Sequence, residues 1–285
     1  MAKWPARIAH LLRSDIAKGV TVKVERPHYF YLGDNLALTK LTDGHFIYVD
    51  PKDESVCAHL ISRGEWEPWI WKVVVGLVQP GDRVVEVGGH VGFYTLALAQ
   101  RVGPDGRITT FEANPRLVAL AARSVRFNGY DSRVDVVHRA VSDKAGQLRF
   151  STSRQFGGGG HISLKNEKAS EDSEIFEIES VRLDDHEFGQ VALLRIDAEG
   201  SEALILSGAE VLLSQPDIVI CMEWDLIQLR SRSKPENMLQ SLTEKGFLFW
   251  RISFNSQLEP IEASKLLATV QCDVIVARRM PSLNY

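Results

Sequence analysis

Cysteine is scarce: Cys57, Cys221 and Cys272 are the only three in 285 residues. They are odd in number, far apart and form neither a C-x-x-C pair nor a zinc spacing, so neither a disulfide framework nor a zinc module organises the chain. Reduced, mostly buried thiols in a cytoplasmic protein are the expectation. Long apolar runs are missing as well. The first twenty residues are interrupted by Arg7, Arg13, Asp15 and Lys18, unlike the continuous apolar stretch of a secretory signal. No other segment approaches the length of a transmembrane helix. Positive charge is not in excess either. Lys and Arg number 33 against 37 Asp and Glu, for a net charge of −4. Wrapping nucleic acid needs clustered cations, so no nucleic-acid partner is expected. The densest basic cluster, Arg230, Arg232 and Lys234, reads as a solvated loop. No internal repeat occurs, and the one low-complexity run, Gly157 to Gly160, is short enough for a flexible loop.

What is present is a regular alternation of apolar segments. Hydrophobic residues make up 45% of the chain, enough for a substantial core. Residues 1–78 read as an N-terminal extension: a short helix before Val20, then strands at Val20–Val24, His28–Leu32 and His45–Val49, with a turn signal at Asp43-Gly44. Helices follow near Ser55–Arg63 and Pro68–Val78, the second with proline in its first turn. Residues 79–285 then read as one α/β domain. Its strands are expected at Val84–Val87, Arg107–Phe111, Val134–His138, Val191–Ile196 and Asp217–Glu223. Helices are expected at Phe93–Val102, Pro115 to Asn128, Ser201 to about Leu213 and Pro235–Lys245. Gln147–Ser151 and Ile178–Val181 flank a polar loop, and Phe247–Ile252 with Asp273–Ala277 supplies a final antiparallel pair. Alternating strands and helices predict a mostly parallel sheet covered on both faces.

The first core strand runs into Glu86-Val87-Gly88-Gly89-His90-Val91-Gly92. Glycines let backbone approach a ligand, and the following helix offers free N–H groups and a positive dipole end. A dinucleotide fingerprint would need glycine at position 87, where Val87 stands, so a nicotinamide site is disfavoured. The spacing is the acid-x-Gly-x-x-x-Gly form of adenosylmethionine enzymes. The next strand ends at Glu112, twenty residues beyond Gly92, where a carboxylate can accept hydrogen bonds from both hydroxyls of a ribose. The third strand ends at Ala140, whose backbone and small side chain suit an adenine edge.

At this point the chain resembles the FkbM-type methyltransferases. The likeness rests on Gly64-Glu65-Trp66-Glu67-Pro68, on Glu86 to Thr95, on Phe111-Glu112-Ala113-Asn114-Pro115, on Ala140-Val141-Ser142-Asp143 and, most specifically, on Leu194-Arg195-Ile196-Asp197-Ala198-Glu199-Gly200-Ser201-Glu202. It spans roughly residues 45 to 225. The family usually has Asp at position 86, Ala-Asn at 89–90 and Lys at 195. The resemblance implies a Rossmann-like class I methyltransferase sheet, mostly parallel with an antiparallel C-terminal strand, and S-adenosyl-L-methionine as cofactor. It implies a cofactor site at Glu86, Gly88, Gly89, His90, Gly92 and Phe93, at Glu112 and Ala113, and at Ala140 and Asp197. Family members methylate a hydroxyl on a sugar, glycolipid or natural-product intermediate, so a small-molecule or glycan acceptor is expected.

Methylating an alcohol requires a proton acceptor beside the attacking oxygen. Asp197 and Glu223, at the ends of the fourth and fifth strands, and His161, after the glycine run, are the candidates. Strand alternation puts Arg195 and Asp197 on one face, so a structural ion pair competes with a catalytic role. Glu199 reads as a helix-N-terminal acid, and Glu223 either as an acceptor contact or as a partner of Arg195. Trp71, Tyr94 and Trp224 are aromatic candidates for the pocket. Asp197, Glu199, Glu223 and His161 offer ligands for a hard cation, but their spacing does not require one and no metal is assigned. The alternatives are a carboxylate or nucleic-acid methyltransferase and a non-catalytic cofactor-binding protein. The nucleic-acid alternative lacks an Asn/Asp-Pro-Pro-aromatic segment, and a binding protein has no need of polar strand ends. Acceptor specificity is expected in the N-terminal region and in the loop 154–174.

Overall fold

The computed structural model describes residues 28–153, 155–164 and 166–284. The helix and strand expected within residues 1–24 lie outside them. Strands β1 (Tyr29–Gly33), β2 (Leu36–Lys40) and β3 (Phe46–Val49) form an antiparallel sheet. β2 is absent from the sequence-based expectation because its Leu-Ala-Leu-Thr-Lys has little strand character. The Asp34-Asn35 turn makes the hairpin: both residues have positive φ, 47° and 58°, which matches the twist of the strands they join. Helices α1 (Val56–Arg63) and α2 (Pro68–Gly76) follow.

The alternating unit comprises β4 (Arg83–Val87), α3 (Phe93–Val102), β5 (Arg107–Glu112), α4 (Pro115–Phe127) and β6 (Val134–His138). A small sheet, β7 (Ala140–Val141), β8 (Gly146–Ser153), β9 (His161–Ile162) and β10 (Ser173–Val181), interrupts it in the order β7-β10-β8-β9. The chain returns through β11 (Leu193–Ile196), α5 (Glu202–Ser207), α6 (Glu210–Leu213), β12 (Val219–Asp225), α7 (Leu226–Arg232) and α8 (Pro235–Glu244). It closes with β13 (Leu248–Ile252), β14 (Leu258–Pro260), α9 (Ala263–Leu266) and β15 (Gln271–Ala277). The main sheet has the order β14-β13-β15-β12-β11-β4-β5-β6. Its members from β12 to β6 are parallel, whereas β15, β13 and β14 join antiparallel. This is the expected Rossmann-like class I sheet.

Strand alternation divides the core between the two faces. Val84 packs with Leu96, Ile108, Leu60 and Ile70, and Ala37 and Ile47 of the first sheet join that cluster. Val85 and Val87 pack on the other face with Leu194, Ile196, Leu206, Met222 and Leu239. The chain runs outward from β4 to β6 and returns to β11 beside β4. Their carboxyl ends therefore border the crevice where open α/β sheets bind ligands.

Three expectations need correction. The helix expected from Ser201 to Leu213 is broken into α5 and α6. Gly208 lies so tightly against the Ser142 carbonyl that a Cβ would overlap it, and a continuous helix cannot hug that loop. A helix, α7, follows β12 directly, capped by Asp225 accepting from the N–H groups of Ile227 and Gln228. The run Gly157–Gly159 is a 3₁₀ turn rather than a loose loop, held where the Gly158 N–H donates to Ser55 Oγ (3.2 Å). Among the described residues, no helix is long and apolar enough to cross a membrane.

Candidate active site

The carboxyl ends of β4, β5, β11 and β12 open into a cavity of about 420 Å³. Its β4–β5 end is made by backbone. The N–H groups of Gly88 and Gly89 both donate to the Phe111 carbonyl (2.9 and 3.1 Å), folding the loop back onto β5. Gly88 has φ +85°, and a Cβ on it would fall inside the Asp197 carbonyl. Only glycine permits both that conformation and that approach. Glu112 is clasped from two sides: His90 N–H donates to Oε2 (2.8 Å) and Asn114 N–H to Oε1 (2.7 Å). Burial pushes its carboxyl upward against the pull of those donors. Val87, Phe111, Ala113, Ala140, Phe150 and Ile205 supply apolar wall, and Phe93 joins it from the first turn of α3.

His90 lines this end with both ring nitrogens lacking a hydrogen-bond partner. Its Nε2 stands 3.6 Å from Asp53 Oδ2, a carboxylate only 3% exposed. Two expected cofactor contacts are not at the wall. Glu86 is fully buried behind the loop, accepting from the Thr95 hydroxyl and facing Arg195. Gly92, with φ 92°, packs towards Ala121 at the start of α3.

The β11–β12 end is made by charged side chains. Arg195 is 6% exposed; its Nη2 reaches Asp197 Oδ2 (2.8 Å) and its Nη1 reaches Glu86 Oε1 (3.4 Å) and the Gly88 carbonyl (3.5 Å). The guanidinium lies 3.8 Å from the centroid of the Tyr94 ring. Burial opposes the charge of Arg195, but Asp197 and Glu86 outweigh it and raise its pKa. Asp197, Glu199 and Glu223 all line the cavity. Glu199 accepts from Gln228 Nε2 (2.6 Å) and Glu223 from Gln271 Nε2 (2.9 Å). Burial, then the Asp197 charge, pushes Glu199 and Glu223 each up to about 7.

The helix-start role expected of Glu199 falls to another acid. Glu202, not Glu199, serves the start of α5: its Oε1 accepts from the N–H groups of Ala198 and Gly200 (3.1 and 3.4 Å). Glu199, at φ 51°, turns to the cavity instead. Glu223 pairs with Gln271 and not with Arg195. His161 is absent from the wall; its ring is held by Glu167 (3.1 Å) and the Gly159 carbonyl (2.9 Å). Trp224 is fully buried in the core and Trp71 packs in the other cluster, while Tyr94 reaches the cavity.

Sequence reasoning missed Glu67 and Ser201 as cavity residues. Glu67 enters from the turn before α2 with φ 43°, and Tyr94 Oη stands 3.5 Å from its Oε2. Burial and the Asp197 charge push it up to about 7. Its signal was the Gly64-Glu65-Trp66-Glu67-Pro68 segment. The Ser201 side chain is buried at the wall with its Oγ unpartnered, and no spacing marked it.

The model of the family described as the methyltransferase FkbM domain matches residues 86–249. A protein-L-isoaspartate O-methyltransferase of Methanopyrus kandleri is 39% identical over 59 residues, 21% of this chain and 26% of that protein. A transmembrane O-methyltransferase of Homo sapiens is 31% identical over 91 residues, 32% of this chain and 31% of that protein. The chain thus spans about a quarter to a third of the length of these curated relatives. The crystal structure of a methyltransferase FkbM from Methylobacillus flagellatus is 13% identical, covers 68% of this chain and 43% of that one, and superposes with a TM-score of 0.44.

Proposed function

The chain belongs to the FkbM methyltransferase family, and from that footing we propose that it methylates a hydroxyl oxygen of a small-molecule or glycan acceptor, with Asp197 as the proton acceptor. It is an S-adenosylmethionine-dependent methyltransferase, and the residues present fit that cofactor. Glu112 spends one lone pair of each oxygen on backbone and keeps the others for a diol. His90 lines the wall beside the loop with its Nε2 turned to Asp53 and its Nδ1 without a partner, a nitrogen suited to a carboxylate. The apolar wall suits a purine, and the acids around Asp197 suit a positive centre. Glu112, Gly88, Gly89, His90, Phe93, Ala113 and Ala140 would hold the cofactor, with Glu86 and Gly92 shaping the loop from behind. In the same reading residues 79–285 are the catalytic domain, and residues 1–78 an extension that lends Ser55, Trp66 and Glu67 to the wall.

When bound, S-adenosylmethionine supplies an electrophilic methyl carbon on a sulfonium. Asp197 would take the hydroxyl proton of the acceptor as its oxygen is methylated. Arg195 fixes the carboxylate for that task through one oxygen and leaves the other towards the cavity. The surrounding wall keeps the acceptor aligned and water out, which is where most of the rate of such a displacement arises. The observation that carries the reading is Asp197 itself: the carboxylate stands against the cofactor loop, its backbone carbonyl packed on Gly88 and its side chain at the cavity wall.

The test has two parts. Titration calorimetry with adenosylhomocysteine should show binding that Glu112→Ala weakens about 10–100-fold, the loss of hydrogen bonds to a charged group. Transfer of labelled methyl groups into extracts should give a product that survives both mild base and nuclease. A base-labile label means carboxylate methylation, a nuclease-sensitive one means nucleic acid, and either sinks the hydroxyl reading.

A further inference from the structure

The acid cluster at the β11–β12 end has more order than acceptor binding by one base requires. Asp197, Glu199 and Glu223 each present one oxygen such that all three lie within 4.8 Å of one another. Ligands at about 2.1 Å on one octahedral ion lie about 3 Å apart when adjacent and about 4.2 Å when opposite, so the three side chains must draw inward by up to about one or two ångströms to close on one ion. Each carboxylate also accepts a hydrogen bond on one oxygen from a different element: Asp197 Oδ2 from Arg195, Glu199 Oε2 from Gln228 and Glu223 Oε1 from Gln271. Metal-ligating carboxylates are oriented in this way by outer partners that leave one oxygen free.

A separate observation points to a ligand in the same cavity. Ser201 is 2% exposed and lines the same cavity, yet its Oγ has no hydrogen-bond partner. A buried hydroxyl without a partner is costly, and an ion or its coordinated water would satisfy it. Charge agrees. Arg195 is shared between Asp197 and the buried Glu86, so it does not by itself balance the acids gathered at this end, and a cation would. The ligand set is entirely oxygen, with neither histidine nor cysteine among its members, and that selects a hard ion over zinc or copper.

We propose that Asp197, Glu199 and Glu223, with Ser201 Oγ on the same cavity wall, bind a hard divalent cation of the Mg²⁺ or Mn²⁺ class at the acceptor end of the cleft. Three carboxylates leave further coordination positions open to water, and because the ion would occupy the oxygen of Asp197 proposed to take the acceptor proton, ion binding and the base role are alternative states of that carboxylate. The proposal does not depend on which acceptor is methylated, and its test uses neither cofactor nor acceptor.

The full chain, treated with chelator and dialysed, is titrated with Mn²⁺ and free ion is read by electron paramagnetic resonance. The expected result is one saturable site per chain that Mg²⁺ displaces, with affinity reduced at least tenfold in Glu199→Gln/Glu223→Gln. Circular dichroism and thermal melting check that variant's fold, and Ser201→Ala, a milder change, should weaken Mn²⁺ measurably in a chain of unaltered melting temperature. Absence of saturable Mn²⁺ binding by the wild-type chain up to millimolar ion overturns the proposal, whatever the variants do. So does a site whose affinity a folded double variant leaves within tenfold, since the ion would then sit elsewhere.

Discussion

At the β5 end of the cleft, a carboxylate is held by backbone: Glu112 rests between the N–H groups of His90 and Asn114. At the β11–β12 end, carboxylates are held by side chains: Arg195, Gln228 and Gln271 each steady one of Asp197, Glu199 and Glu223. The first arrangement suits the constant ligand proposed for it, because main-chain donors vary little with sequence. The second can be re-tuned residue by residue, which suits a family whose cofactor is shared and whose acceptors differ. It also carries an electrostatic burden. Four acids there, Glu67, Glu199, Glu202 and Glu223, are each pushed up to about 7, burial being the first cause in every case.

The seam between the halves should be the most fragile point. Gly88→Val drives a side chain into the Asp197 carbonyl at a φ that valine resists. The expected loss is on the order of 4 kcal/mol in urea denaturation, with adenosylhomocysteine binding abolished; near-normal binding would show that the halves are not packed as described. Next in size, Asp197→Asn keeps the shape but removes the base. Turnover should fall about 10²–10⁴-fold while adenosylhomocysteine affinity changes far less, and a parallel loss of both would move Asp197 to the cofactor side.

Glu202 tests the electrostatic half of the contrast through pH. Its carboxyl is 1% exposed, and burial raises it from 4.5 to about 7. Below about pH 4.5 folded and unfolded chains are both protonated there, and no penalty exists. As pH rises the unfolded chain releases the proton first, so stability drains away until about pH 7 and then levels. Glu202→Gln should therefore exceed the wild type by up to about 3 kcal/mol at pH 8 and match it near pH 4, read from urea midpoints at the two pH values. An equal gap at both would place the effect outside titration. The smallest change is expected for His161→Ala. The ring is tied to Glu167 away from the wall, so turnover should stay within about twofold and stability within about 1 kcal/mol; a large drop in turnover would return His161 to the acceptor site.

The parallel sheet, its antiparallel closing strands and the glycine loop were legible because their signals are local. Val84–Val87 running into glycine, and an acid closing the next strand, are readable over a few residues. The acceptor end was legible only in part. Asp197 and Glu223 could be placed at strand ends, but which of two acids three residues apart, Glu199 and Glu202, serves the start of the helix depends on backbone that no spacing encodes. Glu67 enters the cleft through a left-handed turn, and Gln228 and Gln271 act across 29 and 48 residues of sequence. The glycine run before His161 suggested a swinging loop, whereas a long-range bond to Ser55 pins it as a tight turn.

Arg195 belongs to neither end. One face of its flat cation rests on Tyr94, one nitrogen touches the Gly88 carbonyl and another grips Asp197. A flat cation wedged in this way ties the packing of the glycine bend to the position of the Asp197 carboxylate. A change at Arg195 therefore reaches both ends of the cleft together: it leaves the buried Glu86 without its counter-charge and unties the Asp197 carboxylate in the same stroke.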